Sequence, residues 1–223
     1  IALPMSLTEI EAVQKQLVAR NALNEGLVYL QLTRGADATR DFLPSPDTAP
    51  TLFLFVQDKP ILHVPAVTTG IAVATMPDLR WKRRDIKSTG LLAQAMAKQA
   101  ARDAGAQEAW LVEDGFVTEG ASSTAFIVTD EGIVTRPYSQ AVLAGCTGDA
   151  LTALAVESGL AVIRRPFSVA EALAAKEAFI TSASTLCQSV VTIDGQTIGT
   201  GTPGPVAMRL RALYIAFARA TAV

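Results

Sequence analysis

The hydrophobic residues at the start of the chain have helical and then strand spacing. Apolar side chains recur every three or four positions over 6–24, which predicts a helix. Ser6 and Glu9 have the spacing of a capping box at its start. The pattern then changes to short apolar runs at 27–33 and 51–56, which predict two strands. We therefore expect a small N-terminal α/β lobe over residues 1–57.

Residues 58–66 contain Pro60 and Pro65 and predict a linker, followed by a larger lobe over 67–223. Asp114-Gly115 between two apolar runs is a typical two-residue hairpin turn. Hairpins mixed with helices indicate an α+β fold, not a repeating βαβ array. The helices predicted in this lobe lie at 89–104, 147–158, 169–174 and 204–220, and the strands at 70–76, 108–113, 116–118, 124–128, 132–135, 161–164, 178–181 and 190–193.

Composition narrows the class of protein. The chain has 223 residues, of which 50% are hydrophobic, so we expect a well-formed core and not a disordered chain. A net charge of −2 argues against a nucleic-acid partner. One histidine and two cysteines give little material for a metal site, and none is predicted. The sequence has neither a long apolar run nor a basic leader at Ile1, so we expect no membrane span and a cytoplasmic location.

Three segments suggest chemistry in combination. Lys87 follows several basic residues, and nearby positive charge favours the neutral amine that a nucleophilic lysine needs. Glu119 ends a predicted strand and could pair with a protonated ring nitrogen. The helix that begins after Gly145 offers N–H groups to a phosphate. Each segment alone also has an ordinary structural interpretation, as a surface lysine, a turn or a helix cap, but together they match the needs of pyridoxal phosphate.

Two motifs resemble those of a known family. The run 78–88, Asp-Leu-Arg-Trp-Lys-Arg-Arg-Asp-Ile-Lys-Ser, resembles the Schiff-base lysine segment of fold type IV pyridoxal-phosphate enzymes. Residues 118–123 resemble the Thr-Glu-Gly-x-x-Ser signature of the same family. That family includes D-amino-acid and branched-chain aminotransferases, (R)-selective amine aminotransferases and aminodeoxychorismate lyases. The resemblance implies a homodimer with a barrel-like sheet in its larger lobe, and further strands before the helix at 6–24, so the small lobe is expected to be truncated at its start.

The resemblance also implies roles for particular residues. Lys87 would bind pyridoxal phosphate covalently and move the α-proton of the substrate, and Glu119 would contact the pyridine nitrogen. Leu143 would pack against a face of the ring. The other cofactor contacts that it implies are Ser122, Cys146, Thr147, Ser182, Ala183 and Ser184.

The substrate side resembles D-amino-acid aminotransferases most. Residues 29–35, Tyr-Leu-Gln-Leu-Thr-Arg-Gly, are similar to their strand, with Tyr29 near the substrate. Arg40 in the following loop could bind an α-carboxylate with its guanidinium. We therefore expect ping-pong transfer of an amino group from a D-amino acid to a 2-oxo acid. The alternatives are a branched-chain aminotransferase, a lyase of the aminodeoxychorismate type, or a non-catalytic fragment that dimerises without cofactor.

Overall fold

The computed structural model describes residues 1–222. Chain contacts divide it into two compact units, one formed by Ile1–His63 and the other beginning at Val64. Residues 58–66, expected to be a linker, contain the last residue of one strand and the first residue of a short helix. Within the described residues no helix combines the length and the apolar character that a membrane crossing requires.

The N-terminal unit contains helix α1 (Leu7–Arg20) and strands β1 (Gly26–Thr33) and β2 (Thr51–Asp58). The predicted capping box is present, because the Ser6 hydroxyl accepts a hydrogen bond from the Glu9 N–H and the Glu9 carboxylate accepts one from the Ser6 N–H. The helix ends four residues earlier than the sequence pattern suggested. Ala22 has φ +48, which a continuing right-handed helix cannot contain. The two strands pair antiparallel over their full length.

The second unit is built around a mixed sheet of nine strands in the order β5-β4-β3-β10-β9-β6-β7-β8, with β11 beside β10. Three neighbouring pairs, β3–β10, β3–β4 and β7–β8, are parallel and the others are antiparallel. Its elements in chain order are α2 (Ala66–Thr69), β3 (Ile71–Pro77), α3 (Leu92–Asp103), β4 (Glu108–Glu113), β5 (Phe116–Gly120), β6 (Thr124–Val128), β7 (Ile133–Thr135), α4 (Cys146–Glu157), β8 (Val162–Arg164), α5 (Val169–Leu173), β9 (Glu177–Ser182), β10 (Leu186–Ile193), β11 (Gln196–Thr197) and α6 (Pro205–Thr221).

The predicted hairpin at Asp114-Gly115 forms and has the expected turn. Asp114 and Gly115 have φ values of +53 and +81, the pair of positive values that a type I′ turn requires. Successive residues of a strand point to opposite sides of the sheet, and hydrophobic side chains form a buried cluster on each side. Phe126 stacks on Phe179 beneath α4 and α6, whereas Ile127 joins the opposite cluster around Trp110.

The pattern misplaced the starts of α3 and β10 and missed two short elements. Helix α3 begins at Leu92 and not at residue 89. Strand β10 begins at Leu186, four residues before the predicted start at 190. The prediction began too late because Gln188 and Ser189 are polar, although buried, and interrupt the apolar pattern. The Gln188 amide donates to the Ala66 carbonyl at 2.6 Å, which compensates for its burial. The short elements α2 and β11 carry no clear periodicity and were not predicted.

Candidate functional site

The loop that carries Lys87 is fixed to the sheet by buried ion pairs. Arg80 forms a fork with Asp78, through Nε to Oδ1 at 2.9 Å and Nη2 to Oδ2 at 2.8 Å. Arg84 donates from Nη1 and Nη2 to the two oxygens of Glu113, at 2.8 and 3.0 Å. The backbone N–H of Arg84 also donates to the backbone carbonyl of Gln140 at 2.9 Å. The loop is therefore attached to β4 and to the segment that precedes α4.

Lys87 itself lies on the exposed part of this loop. The sequence argument for Lys87 relied on positive charge beside it, and in the structure that charge is paired with carboxylates. All four preceding basic side chains are ion-paired: Arg80 with Asp78 and Glu119, Lys82 with Glu113, Arg83 with Asp85, and Arg84 with Glu113. Asp78 and Asp85 within the loop, together with Glu113 and Glu119 from distant positions in the sequence, balance the positive charge.

Glu119 is buried near the end of β5, where two groups hold its carboxylate. Arg80 donates from Nη1 to Oε1 at 2.5 Å, and the Leu143 N–H lies 3.2 Å from each carboxylate oxygen. Burial raises the pKa of the Glu119 carboxyl, while the charge and hydrogen bond of Arg80 act in the opposite direction. The structure thus brings Glu119 and Leu143 into direct contact, and Leu143 leads within three residues into α4.

The first turn of α4 packs against two threonines of the sheet. A Cβ at Gly145 would lie 2.9 Å from Thr124 Oγ1, and one at Gly148 would lie 3.2 Å from Thr181 Oγ1. Glycine at these two positions allows the helix to approach the sheet closely. Thr124 and Thr181 are themselves paired across β6 and β9. We call Thr124, Thr181 and Cys146–Gly148 the α4 cup.

The α4 cup leaves polar groups free for an anion. The Thr181 hydroxyl is buried and has no hydrogen-bond partner among the described residues. Within that part of the chain no side chain caps α4, whereas Ser168 caps α5 and the Glu177 carboxylate accepts from the Val206 and Ala207 N–H groups at the start of α6. Free N–H groups at the start of a helix favour a phosphate or carboxylate, and an unpaired buried hydroxyl is costly without one.

The separation of the cup from Glu119 suits one small aromatic phosphate. Leu143 contacts Glu119, and Cys146 begins the helix of the cup. Three residues of chain span at most about 11 Å. A carboxylate that can face a ring nitrogen and a helix start that can face a phosphate therefore lie within the reach of a single pyridoxal phosphate molecule.

Ser122 lies in the turn that follows Glu119. Its hydroxyl donates to Glu108 at 2.7 Å and accepts from the Lys98 amine at 2.9 Å. Ser123 also donates to Glu108, at 3.2 Å. A Cβ at Gly120 would lie 2.0 Å from Ser123 Oγ, so any larger residue there would force the Ser123 hydroxyl to move. Ser122 therefore helps to fix the turn after Glu119, and its hydroxyl is already engaged within the protein.

The predicted loop after β9 adjoins the cup, because Ser182 directly follows Thr181. The Ser182 hydroxyl interacts with those of Ser184 at 3.3 Å and Thr185 at 2.8 Å, which forms a compact turn. Ala183 is exposed at its tip.

The two predicted substrate residues lie in the N-terminal unit. The Tyr29 hydroxyl donates to the Gln31 side chain at 2.7 Å, and its ring lies 4.9 Å from that of Phe55. The Arg40 guanidinium lies 5.3 Å from the centre of the Phe42 ring. Arg40 also lines an open cavity of about 450 Å³ in the loop after β1, together with Arg34 and Asp37.

Sequence reasoning missed Arg80, Thr124 and Thr181. Arg80 was quoted only as part of a motif, and a buried partner for Glu119 was not expected. The threonines carried a weak signal, since each begins or ends an apolar run that was predicted to be a strand. Their pairing could not be found without the order of strands in the sheet.

Comparisons with known proteins agree with this geometry. The family model described as amino-transferase class IV matches residues 1–193. D-alanine aminotransferase of Bacillus licheniformis is 39% identical over 208 residues, which cover 92% of this chain and 72% of that protein. The corresponding enzyme of Listeria monocytogenes is 33% identical over 218 residues, covering 96% of this chain and 75% of the relative.

Among solved structures, the branched-chain amino acid aminotransferase of T.th. with pyridoxamine 5′-phosphate is similar, with a TM-score of 0.84 and 28% identity. The match covers 96% of this chain and 72% of that one. The expected fold is thereby confirmed, including the small α/β lobe and the larger lobe with its curved sheet. On the family match and these relatives, the chain belongs to the class IV aminotransferases, enzymes that transfer amino groups.

Proposed function

We propose that this chain is a pyridoxal-phosphate-dependent aminotransferase that moves an amino group from a D-amino acid to a 2-oxo acid. The observation that carries the cofactor assignment is the short chain connection between the buried Glu119 carboxylate and the uncapped α4 cup. The preference for a D-amino acid is supported by the identity with D-alanine aminotransferases.

Glu119 would hold the ring end of the cofactor. Pyridoxal phosphate supplies an electron-poor ring that takes up the electron pair released at the substrate α-carbon. A carboxylate beside the ring nitrogen stabilises the proton on that nitrogen. Leu143 would pack on a ring face while its N–H keeps the carboxylate oriented.

The α4 cup would bind the phosphate. The N–H groups of Cys146 and Thr147, the Thr147 hydroxyl and the unpaired Thr181 hydroxyl are the proposed donors. Ser182, Ala183 and Ser184 follow Thr181 and would contribute hydroxyl or backbone N–H groups from the adjoining turn. Ser122 is proposed to lie beside the cofactor while its hydroxyl remains bonded to Glu108.

Lys87 would provide the reactive amine. Its exposed position leaves the side chain free to reach a cofactor. The amine would bind the cofactor covalently, and after displacement by the substrate it would remove the proton from the α-carbon and deliver it to the cofactor side. In the same proposal Tyr29 contacts the substrate and the Arg40 guanidinium binds its α-carboxylate.

Borohydride trapping and amino-donor assays test this function. The purified protein with pyridoxal phosphate should develop near-visible absorbance, and reduction followed by peptide mapping should find the cofactor on Lys87. D-alanine should bleach that absorbance and L-leucine should not. Bleaching by L-leucine would favour the branched-chain alternative. An aminotransferase can release at most one equivalent of pyruvate from D-alanine without an acceptor, so repeated turnover to pyruvate in the absence of any 2-oxo acid would favour the lyase. A protein that binds no cofactor would support the non-catalytic alternative.

Substitution of Lys87 provides the sharpest check. Lys87→Ala should reduce transamination by at least about a thousandfold, because covalent binding and proton transfer are both lost. Arg83→Met is the matched control, since Arg83 is a neighbouring exposed cation paired only with Asp85. Equal loss in both variants would contradict the proposed role of Lys87.

We also propose that the chain forms a homodimer. Apolar side chains are exposed around the start of α3, where Leu92 is 74% and Met96 57% accessible, with Trp81 and Leu91 also exposed. Contiguous exposed apolar surface is typical of protein interfaces. Sedimentation should find a dimer that Leu92→Glu dissociates, and a monomeric parent protein would contradict the proposal.

We also propose a cytoplasmic location, which cell fractionation tests.

A further inference from the structure

We propose that Arg80 is a positioning residue that keeps the Glu119 carboxylate ionised and oriented for its contact with the ring nitrogen. This inference rests on the proposed function, because it assigns to Arg80 an effect on a cofactor contact made by Glu119.

The geometry fixes Arg80 between two buried carboxylates. Its fork with Asp78 uses Nε and Nη2, which leaves Nη1 to donate to Glu119 Oε1 at 2.5 Å. The side chains of Arg80 and Asp78 are 7% and 0% exposed. A planar guanidinium held on one edge in this way has little freedom to turn away from Glu119.

The charges around Glu119 show why one guanidinium matters. Burial disfavours the ionised carboxylate, and the nearby negative charge of Asp78 disfavours it further. Arg80 and the Leu143 N–H oppose both effects. Arg84 lies 3.4 Å from Asp78 Oδ2 and partly balances that charge. Removal of Arg80 would leave two buried carboxylates near each other, and Glu119 would take up a proton more easily.

A protonated Glu119 would lose its function in the proposed site. It would donate a hydrogen bond to the ring nitrogen and no longer stabilise a proton there. Oε1 is occupied by Arg80, so Oε2, bonded only to the Leu143 N–H among the described groups, is the oxygen available to a ligand. Arg80 therefore favours the ionised form of the Glu119 carboxyl and leaves Oε2 as the oxygen that can face a ligand.

The effect of Arg80 on Glu119 can be separated from its effect on the loop. Arg84 and Glu113 anchor the same loop independently through two hydrogen bonds. The Arg84 N–H adds a third attachment at Gln140. Loss of the Arg80 side chain should leave the loop attached to β4.

A double-mutant cycle on cofactor affinity tests the proposal. The dissociation constant of pyridoxal phosphate is measured by absorbance titration for the parent protein, Arg80→Met, Glu119→Gln and the double variant. Arg80→Met should weaken binding about tenfold at neutral pH when Glu119 is present, and should add little in the Glu119→Gln background. Arg80→Lys keeps the charge without the fork and should fall between the two. Arg83→Met is the control and should bind like the parent.

The pH dependence provides a readout that a purely structural role would not change. Rising pH ionises Glu119 even without Arg80, so the ratio of the Arg80→Met to the parent dissociation constant should fall as pH rises. The ratio for Glu119→Gln should not fall in this way.

Two results overturn the proposal and leave the proposed function standing. In one, Arg80→Met binds the cofactor normally while Glu119→Gln binds it weakly. In the other, Arg80→Met weakens binding by the same factor in both backgrounds and at every pH. If Glu119→Gln binds normally, the proposed role of Glu119 fails first. Far-UV circular dichroism confirms that each variant is folded, and Arg80→Lys maintains the test if Arg80→Met is not.

Discussion

The two units differ in how much hydrophobic surface their strands bury. In the N-terminal unit, all of whose residues the structure describes, Ile10 is the only hydrophobic side chain that is fully buried, and Phe53 is 56% exposed. In the second unit Trp110, Ile127 and Phe179 are at most 1% exposed, and helices cover the sheet. Strands β1 and β2 pair as continuously as β6 and β9 do, so hydrogen bonding between strands does not by itself create a core.

This difference matters for the proposed site. The residues proposed to bind the cofactor lie on or beside the strands of the well-packed unit, where Glu119 and Thr181 are held by buried neighbours. Tyr29 and Arg40 lie in the unit with little core. A rigid support favours the precise placement that covalent chemistry needs, whereas an adaptable support is compatible with recognition of varied substrates.

The largest effect should come from separating the units. Residues 64–223, expressed alone, should fold and unfold cooperatively, because their clusters of buried side chains lie within that range. Residues 1–63 alone should not fold, since so small a unit with one buried hydrophobic residue cannot offset its conformational entropy. Circular dichroism during thermal unfolding measures both. A cooperative transition for residues 1–63 would contradict the comparison.

Truncation of one leucine in each unit gives the next largest effect. Leu151, on the buried side of α4, is 1% exposed, and Leu151→Ala should lower the free energy of unfolding by about 2–5 kcal/mol. Leu30 is 42% exposed, and Leu30→Ala should cost less than about 1 kcal/mol. Urea unfolding of the full chain provides the values. Equal costs would mean that Leu30 is buried in solution by a partner or by another part of the protein.

The predictions from sequence succeeded where the signal was local. The Ser6–Glu9 box and the Asp114-Gly115 turn depend on residues a few positions apart, and both form as expected. The sequence argument about the charge around Lys87 did not include Glu113, which pairs with Arg84 from 29 residues further along the chain. Local spacing contains no information about such a pair.

The same limit applies to the α4 cup. Thr124 and Thr181 meet because β6 lies beside β9, although 57 positions separate these paired residues. The sequence motifs located Glu119 and the start of α4 correctly along the chain. They could not identify the buried Thr181 hydroxyl as unpaired, because the absence of a partner depends on what surrounds that hydroxyl in three dimensions.

Low pH should lower the stability of the well-packed unit through protonation of the Glu113 carboxylate. Its hydrogen bonds with Arg84 and Lys82 lower the pKa of the carboxyl from 4.5 to about 2. The stabilisation from an acid with a lowered pKa is complete above pH 4.5 and is lost as pH falls towards 2. Stability of the parent should therefore fall more steeply in that range than stability of Glu113→Gln. Glu157→Gln, at an exposed helix position, is the control and should follow the parent. Parallel curves for the parent and Glu113→Gln would show that the ion pair does not survive in solution.

The smallest effect compares a serine cap from each unit. Ser6 accepts from the Glu9 N–H at 3.3 Å at the start of α1, and Ser168 accepts from the Glu171 N–H at 3.1 Å at the start of α5. Serine-to-alanine substitution at a helix cap costs about 0.5–2 kcal/mol. We expect the lower end for Ser6→Ala, since its box is exposed to water that can replace the lost hydrogen bonds, and the upper end for Ser168→Ala.

The location of each loss is as informative as its size. If the two units unfold in separate steps, Ser6→Ala should shift only the transition of the N-terminal unit and Ser168→Ala only that of the other. Hydrogen exchange of amides in α1 and α5 would assign each transition. A single transition that both variants shift would mean that the units unfold as one, and the contrast between a well-packed and a poorly packed unit would then describe their side chains but not their stability.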